Sequence, residues 1–388
     1  MVSFRVPVEP ALLEWAVERS GIDPVELSSR REFQDLPLWE TRVKSPTYRQ
    51  LQKFAAATYT PLGLLFLPEP PDEEVPIPDF RTIRNEEIAR PSPNLLDTIF
   101  LCEQRQEWYR EYARAQGFDP LPFVGSASVD MPITDIAGEI RRELQFSLEE
   151  RSQSGTWDKA FRRLIDTAED AGILVMVSGI VGNNTHRPLD FREFRGFALS
   201  DVLAPLVFVN GTDTKAAQIF TLIHEIVHIW LGQSALTDSA LDQKTNSEIE
   251  IWCNKVAAEV LVPISLLRRN YKGSPEQDEL DRLAKLFKSS TLVVLRRIFD
   301  AGYLEWSDFR RRYHTELSRV LHLASARSAG PGGGNFYYTQ PLRVSRRFAS
   351  AIISDTLSGR TLHRDAYRLL GTRKHETFVQ LGEQVGAA

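Results

Sequence analysis

One short segment, IFTLIHEIVHIWLG, constrains the possible fold and function of this chain of 388 residues more than any other feature. It contains the pattern H-E-x-x-H at His224, Glu225 and His228, inside a stretch whose apolar residues predict a helix. A spacing of four residues places both imidazoles one turn apart on one helix face, where they can bind one Zn²⁺ with Glu225 beside it. The alternative is a pair of hydrogen-bonded core histidines next to a surface glutamate. The apolar neighbours favour the metal, because burying these three side chains without partners would be costly.

A catalytic zinc needs a third protein ligand and an open position for water. No histidine occurs in the 80 residues after the motif, which excludes the extended H-E-x-x-H-x-x-G-x-x-H pattern and leaves a carboxylate on a second helix. The segment NSEIEIWCNKVAAEVLVP predicts that helix and offers three candidates, Glu248, Glu250 and Glu259. We predict Glu250 as the ligand, because it shares a helix face with the small Ala257, which allows a close approach to the motif helix. Glu248 is interpreted as a charge that favours the helix dipole, and Glu259 as a surface group or one that supports a ligand.

This set of residues predicts hydrolysis of a peptide bond. Zinc held by His224, His228 and Glu250 would lower the pKa of its bound water, and Glu225 would act as the general base. The sequence gives no signal for the group that stabilises the oxyanion, which could be a Tyr, His or Arg from another segment. Zn²⁺ is therefore the predicted cofactor, and Glu225 is the predicted catalytic residue.

The residues before the motif predict a small sheet. Three short β-branched or aromatic runs, at 173–178, 194–200 and 205–210, are bounded by Gly, Asn and Pro, as strands usually are. Helical patterns at 91–115, 133–146 and 159–172 precede them, the second with a capping signal at Thr134 and Asp135. We therefore predict the α+β fold class, with a zincin-like domain at 91–270 whose sheet packs on the motif helix.

Helical regions are predicted on both sides of this domain. Residues 1–67 have the pattern of short helices, and residues 68–90 form a Pro-rich linker, in which missing backbone donors favour extended chain. Residues 271–388 are mainly helical, ending in a pair at 344–358 and 364–370. They include a Gly-rich segment at 330–339, interpreted as a flexible turn rather than a phosphate loop because no Lys-Ser/Thr follows it.

Composition places the chain in the cytoplasm, since no apolar stretch is long enough for a membrane span and no leader pattern opens the sequence. The two cysteines, Cys102 and Cys253, are too few for a disulfide framework and are interpreted as buried. A net charge of -5 gives no overall attraction to nucleic acid. Residues 301–388 hold 13 Lys/Arg against 7 Asp/Glu, which fits a solvated helix face or, alternatively, a nucleic-acid surface.

The two motifs together resemble the ImmA/IrrE family of bacterial metallopeptidases. The resemblance runs from FRGFALSDVLAPLVFVNGTDTKAAQIFTLIHEIVHIWLG to EIEIWCNKVAAEVLVP, and the second motif of the family falls on Glu250, Cys253 and Asn254. It implies a zinc metallopeptidase that cleaves a helix-turn-helix transcriptional repressor or another partner protein in a regulatory or stress response. It also supports Glu250 as the third ligand.

The N-terminal region resembles the XRE-type helix-turn-helix domain that precedes the peptidase in longer family members. The resemblance rests on LLEWAVERSGIDPVEL, LPLWE and SPTYRQLQKFA. It implies an alternative function as a DNA-binding regulator or antitoxin of a toxin–antitoxin module, with a cognate toxin as partner and zinc mainly structural. Residues 1–60 hold eight Lys/Arg and eight Asp/Glu, so no net positive charge favours DNA, and protein recognition or homodimer formation is the competing hypothesis.

Overall fold

The computed structural model describes residues 4–78, 91–147, 151, 155–237, 247–328 and 336–387. These residues form two compact units. The first contains the chain up to Pro76 and a short stretch that ends at Asp97, and the second contains the rest. Residues 330–335 of the predicted Gly-rich turn at 330–339 and much of the Pro-rich linker lie outside the described residues, and residues 336–339 belong to a helix rather than to a turn. No helix within the described residues is long and apolar enough to cross a membrane.

Short helices make up the first unit, as the sequence predicts. They are α1 (Pro10–Ser20), α2 (Pro24–Ser29), α3 (Leu36–Glu40) and α4 (Tyr48–Ala57), followed by a 3-10 helix (Leu62–Phe66). Gly21 ends α1 with a left-handed backbone, φ 67°, and Thr47 and Gln50 form a capping box at α4. A helix-turn-helix function for this unit stays a prediction.

A four-stranded sheet lies at the centre of the second unit. Its strands are β1 (Leu174–Ser178), β2 (Gly196–Leu199), β3 (Leu206–Asn210) and β4 (Ala235–Thr237), in the order β1-β3-β2-β4. β1 pairs with β3 in parallel, whereas β2 pairs antiparallel with β3 and with β4. The first three strands match the predicted runs within two residues, and β4 was not predicted. All their residues are buried, which explains why they are continuous apolar runs rather than alternating ones.

Helices cover this sheet and continue to the C-terminal end. They are α5 (Pro93–Ala115), α6 (Ile133–Glu143), α7 (Trp157–Asp170), α8 (Lys215–Leu231), α9 (Glu248–Leu261), α10 (Ile264–Asn270), α11 (Gln277–Phe287), α12 (Thr291–Asp300), α13 (Trp306–Ser328), α14 (Phe336–Val344), α15 (Arg346–Leu357), α16 (His363–Leu370) and α17 (His375–Val385). The predicted capping of α6 by Thr134 or Asp135 is wrong. The helix begins one residue earlier, after Pro132, and no side chain caps it.

One apolar core joins the sheet to the helices α6 to α13. It includes Val207 of β3, Ile226 of α8 and Val256 of α9, all fully buried, and continues through Leu283 of α11 and Phe309 of α13. The mixed α+β composition agrees with the predicted fold class. The predicted boundary between residues 270 and 271 stays a prediction, although side chains from both sides of it share this core.

Candidate metal centre

The motif helix α8 is held at both ends by its own sequence. The side chain of Thr214 accepts a hydrogen bond from the Ala217 amide at the start of the helix, and Gly232 ends it in the left-handed conformation, φ 69°. Nearly every residue between Gln218 and Trp230 is buried, because α8 packs between β2, β3 and the helices α7 and α9. The helix therefore presents its two histidines to the interior of the unit rather than to solvent.

The structure brings the three predicted ligands together. His224 and His228 are fully buried, and their Nε2 atoms are 3.2 Å apart. Glu250, in the first turn of α9, is 4% exposed, and its carboxylate oxygens lie 3.2 Å from His224 Nε2 and 3.1 Å from His228 Nε2. One ligand atom from each residue lies within 4.8 Å of the others, so these three side chains could hold a metal ion.

The spacing of these atoms fits zinc. In a tetrahedral site with bonds of about 2.0–2.2 Å, the ligand atoms lie about 3.3–3.6 Å apart. The three separations in the structure, 3.1 to 3.2 Å, are close to that value without any rearrangement. Two imidazoles and one carboxylate are also the donor set of a catalytic zinc with a fourth position open. The residues present therefore fit this ion.

The charges of the group favour a cation. Burial lowers the pKa of His228, so its ring is neutral with a lone pair available for a metal. Burial alone would raise the pKa of Glu250, but His224 and His228 outweigh that effect and lower it to about 2. The ionised carboxylate of Glu250 and the neutral ring of His228 therefore both present lone pairs that a cation can bind.

Glu225 lies beside the three ligands and is fully buried. One carboxylate oxygen, Oε1, accepts a hydrogen bond from the hydroxyl of Thr237 in β4, and the other, Oε2, has no hydrogen-bond partner among the described residues. Burial raises the pKa of Glu225 to about 8. A buried, half-satisfied carboxylate next to a potential metal group is the arrangement that a general base requires.

Sequence reasoning missed two residues that position Glu225. Thr237 lies in the unpredicted strand β4, which is too short to give a pattern. Gly196 begins β2, and a Cβ atom there would be 2.6 Å from Thr221 Cγ2 and 3.0 Å from Glu225 Oε1. Only glycine therefore allows α8 to approach the strand this closely. A glycine at the start of an apolar run is the one signal that could have indicated such an approach.

The other predicted residues of α9 are placed as follows. Glu248 is exposed in the first turn, after the Ser247 cap, as expected for a charge that favours the helix dipole. Glu259 is buried and forms an ion pair with Arg297 of α12, so it is not a surface group. Cys253 is buried, with its Sγ 3.9 Å from His228 Nδ1, and Cys102 is also a buried free thiol, as predicted.

Comparison with known families gives two matches. The IrrE N-terminal-like domain, Peptidase_M78, matches residues 168–299, a range that contains the sheet, the motif helix and α9. A domain of unknown function, DUF8813, matches residues 344–384. No curated protein and no solved structure matches this chain. The first match supports the resemblance to the ImmA/IrrE family and indicates a metallopeptidase, and it extends past the predicted domain end at residue 270.

Proposed function

We propose that this chain is a zinc metalloendopeptidase, with His224, His228 and Glu250 as ligands and Glu225 as the general base. The observation that carries the proposal is the convergence of these four buried side chains inside the segment that matches a peptidase family. Chance burial of two histidines and two glutamates at one point is costly unless a cation or specific hydrogen bonds compensate it.

The chain's own residues account for proton transfer. When bound, zinc lowers the pKa of a water molecule and polarises the substrate carbonyl. Glu225 takes the proton of the attacking water at its unpartnered Oε2, while the Thr237 hydroxyl holds Oε1 in place. The same carboxyl then donates that proton to the leaving amine. Its pKa of about 8 keeps it protonated in the metal-free chain, and a nearby cation favours the ionised form that the base needs.

The proposed substrate is a helix-turn-helix repressor or another partner protein. For the first unit we propose contact with protein rather than DNA. Four of the basic residues that could contact phosphates are paired with carboxylates of the same unit: Arg30 with Glu26, Arg42 with Glu9, Lys44 with Asp35 and Lys53 with Glu32. Apolar side chains, in contrast, are exposed there, among them Phe4 and Val25, each 75% exposed.

The decisive experiment compares Glu225→Gln with the wild type. We expect both proteins to bind zinc, measured by calorimetry, but only the wild type to create new protein N-termini, measured by mass spectrometry of treated cell lysate. Glu248→Gln is the matched control, since it removes an exposed carboxylate two residues from Glu250 and should leave cleavage intact. Identical sets of new N-termini from Glu225→Gln and the wild type would refute the peptidase.

A separate measurement tests the DNA-binding alternative. Fluorescence anisotropy with labelled duplex DNA, including the chain's own promoter, should show only weak, salt-sensitive binding that does not depend on sequence. Tight and sequence-specific binding that persists in Glu225→Gln would instead favour the regulator or antitoxin, with zinc in a structural role.

A further inference from the structure

A cavity of about 360 Å³ lies in the unit that contains the metal centre, and none of the four proposed site residues lines it. Residues at the starts of three helices line it: Gly155 and Trp157 at α7, Thr214 and Ala216 at α8, and Ser290 and Thr291 at α12. The first amides of a helix lack partners within the helix, and its dipole is positive at that end. One capping side chain at each helix, Thr156, Thr214 and Ser290, satisfies only one of these amides. The N-terminal ends of these three helices line one cavity and therefore favour the binding of an anion there.

Positively charged side chains line the same cavity. Lys288 is only 5% exposed and Lys285 is exposed, and neither ammonium group has a carboxylate partner among the described residues. Arg319 and Asp281 also line the cavity, where they form an ion pair with each other, and Arg319 is paired with Glu316 as well. The side chain of Lys288 is packed along its length and lines the cavity, so an anion bound there would supply the counter-charge that no carboxylate of the described residues supplies. The missing counter-charge is the second observation that indicates a negatively charged ligand.

Lys288 and Ser289 form the turn between α11 and α12, and this turn has two further features. Lys288 ends α11 in the left-handed conformation, φ 47° and ψ 45°, which is common at the C-terminal end of a helix. The hydroxyl of the next residue, Ser289, is fully buried and has no hydrogen-bond partner among the described residues. A buried hydroxyl without a partner is uncommon unless a ligand or water supplies one.

We propose that this cavity binds the phosphate group of a small phosphorylated molecule of about the size of a nucleoside monophosphate. The Lys288 ammonium, the Ser289 hydroxyl and the free amides at the helix starts are the donors that phosphate oxygens accept from. The volume lies within the range of small-molecule sites. Trp157, Ala216 and Ala284 supply an apolar wall for the remainder of the ligand.

Calorimetric titration of the full chain with AMP, inorganic phosphate and adenosine tests this site. We expect AMP and phosphate to bind and adenosine to show no binding. Lys288→Asn removes the charge but keeps a residue that tolerates the left-handed backbone, and should weaken AMP binding about tenfold or more. Ser289→Ala removes a hydroxyl that has no hydrogen-bond partner among the described residues, so we expect the fold to be retained and AMP binding to weaken by about fivefold or more.

Lys374→Ala, which removes an exposed lysine that does not line the cavity, is the charge-matched control and should bind AMP like the wild type. Absence of heat from both AMP and phosphate up to about 10 mM would overturn the proposal. Equal AMP affinity in Lys288→Asn and Lys374→Ala would do the same, because it would place the anion elsewhere, for example at the metal. None of these measurements uses proteolysis. A result that overturns the phosphate site can therefore be distinguished from one that refutes the proposed peptidase activity.

Discussion

Replacing Gly196 by alanine tests whether close contact between β2 and α8 positions the general base. Gly196, at the start of β2, pairs with Val209 of β3 and lies directly beside the motif helix. An added Cβ would lie 2.6 Å from Thr221 Cγ2, 2.8 Å from the carbonyl oxygen of Phe208 and 3.0 Å from Glu225 Oε1. The carbonyl oxygen belongs to the neighbouring strand, so it cannot move without disturbing the sheet.

The contacts set the size of the expected effect. Since carbon atoms pack at about 3.5–4.0 Å, relieving the 2.6 Å contact requires α8 to move away from the strand by roughly one ångström. Overpacking of this kind costs about 1–3 kcal/mol of the free energy of unfolding. A similar displacement of Glu225 from its productive position should lower kcat/KM about tenfold to a hundredfold. Zinc affinity should change less, because none of the three shortest contacts of the new methyl group is with a ligand.

Urea unfolding and cleavage of the substrate found by mass spectrometry would measure both effects. Gly138→Ala in α6 is the matched control, because no atom lies within 4 Å of its added Cβ, and it should stabilise the helix by up to about 1 kcal/mol. Adding Thr221→Ser to Gly196→Ala removes the closest methyl group and should recover part of the stability. If Gly196→Ala were as stable and as active as the wild type, Gly196 would have no role in positioning Glu225.

Three further outcomes are expected. Burial raises the pKa of Glu169 from 4.5 to about 7. Between these two pH values the folded chain holds a proton on Glu169 that the unfolded chain has lost, so the free energy of unfolding falls as the pH rises from 4.5 to about 7. At about 1.4 kcal/mol per pH unit, the free energy of unfolding falls by at most about 3 kcal/mol. Glu169→Gln should remove most of this pH dependence in urea unfolding measured from about pH 4.5 to 8. Glu250→Ala should weaken zinc binding, measured by calorimetry, by more than about a hundredfold. Loss of a residue that only supports a ligand lowers the affinity by at most about that factor. An unchanged zinc affinity would exclude Glu250 as a ligand. Arg297→Met should cost about 3–5 kcal/mol in chemical unfolding, because it leaves the buried carboxylate of Glu259 without its partner, and the double variant with Glu259→Gln should recover part of that loss.

Local sequence signals predicted the elements that carry the ligands. The apolar residues around the H-E-x-x-H motif predict a helix, and α8 spans Lys215–Leu231 with Thr214 as its cap. These signals succeed because the spacing of His224 and His228 and the capping of the helix depend only on neighbours along the chain. The three longer strands were predicted for the same reason, since their apolar runs end at turn residues.

Elements without such a local signal were not predicted. β4 has only three residues, so it shows no alternation, and its position is set by pairing with β2. The start of α6 at Pro132, rather than at a polar cap, also goes against the local preference for a capping side chain. The helices α14 and α17, beside the predicted C-terminal pair, likewise lacked a pattern that was recognised.

The sequence predicts the identity of the general base, Glu225, but not the residues that surround it. Its identity follows from the motif, but its environment depends on Gly196, 29 positions earlier in the numbering, and on Thr237, 12 positions later. Neither residue has a fixed spacing relative to Glu225, because each reaches it through the pairing of β2 with its neighbouring strands and the packing of α8 on them. The ligand Glu250 was predictable because its helix has a clear pattern of its own, whereas the contacts that bury Glu225 and raise its pKa exist only after the sheet has formed.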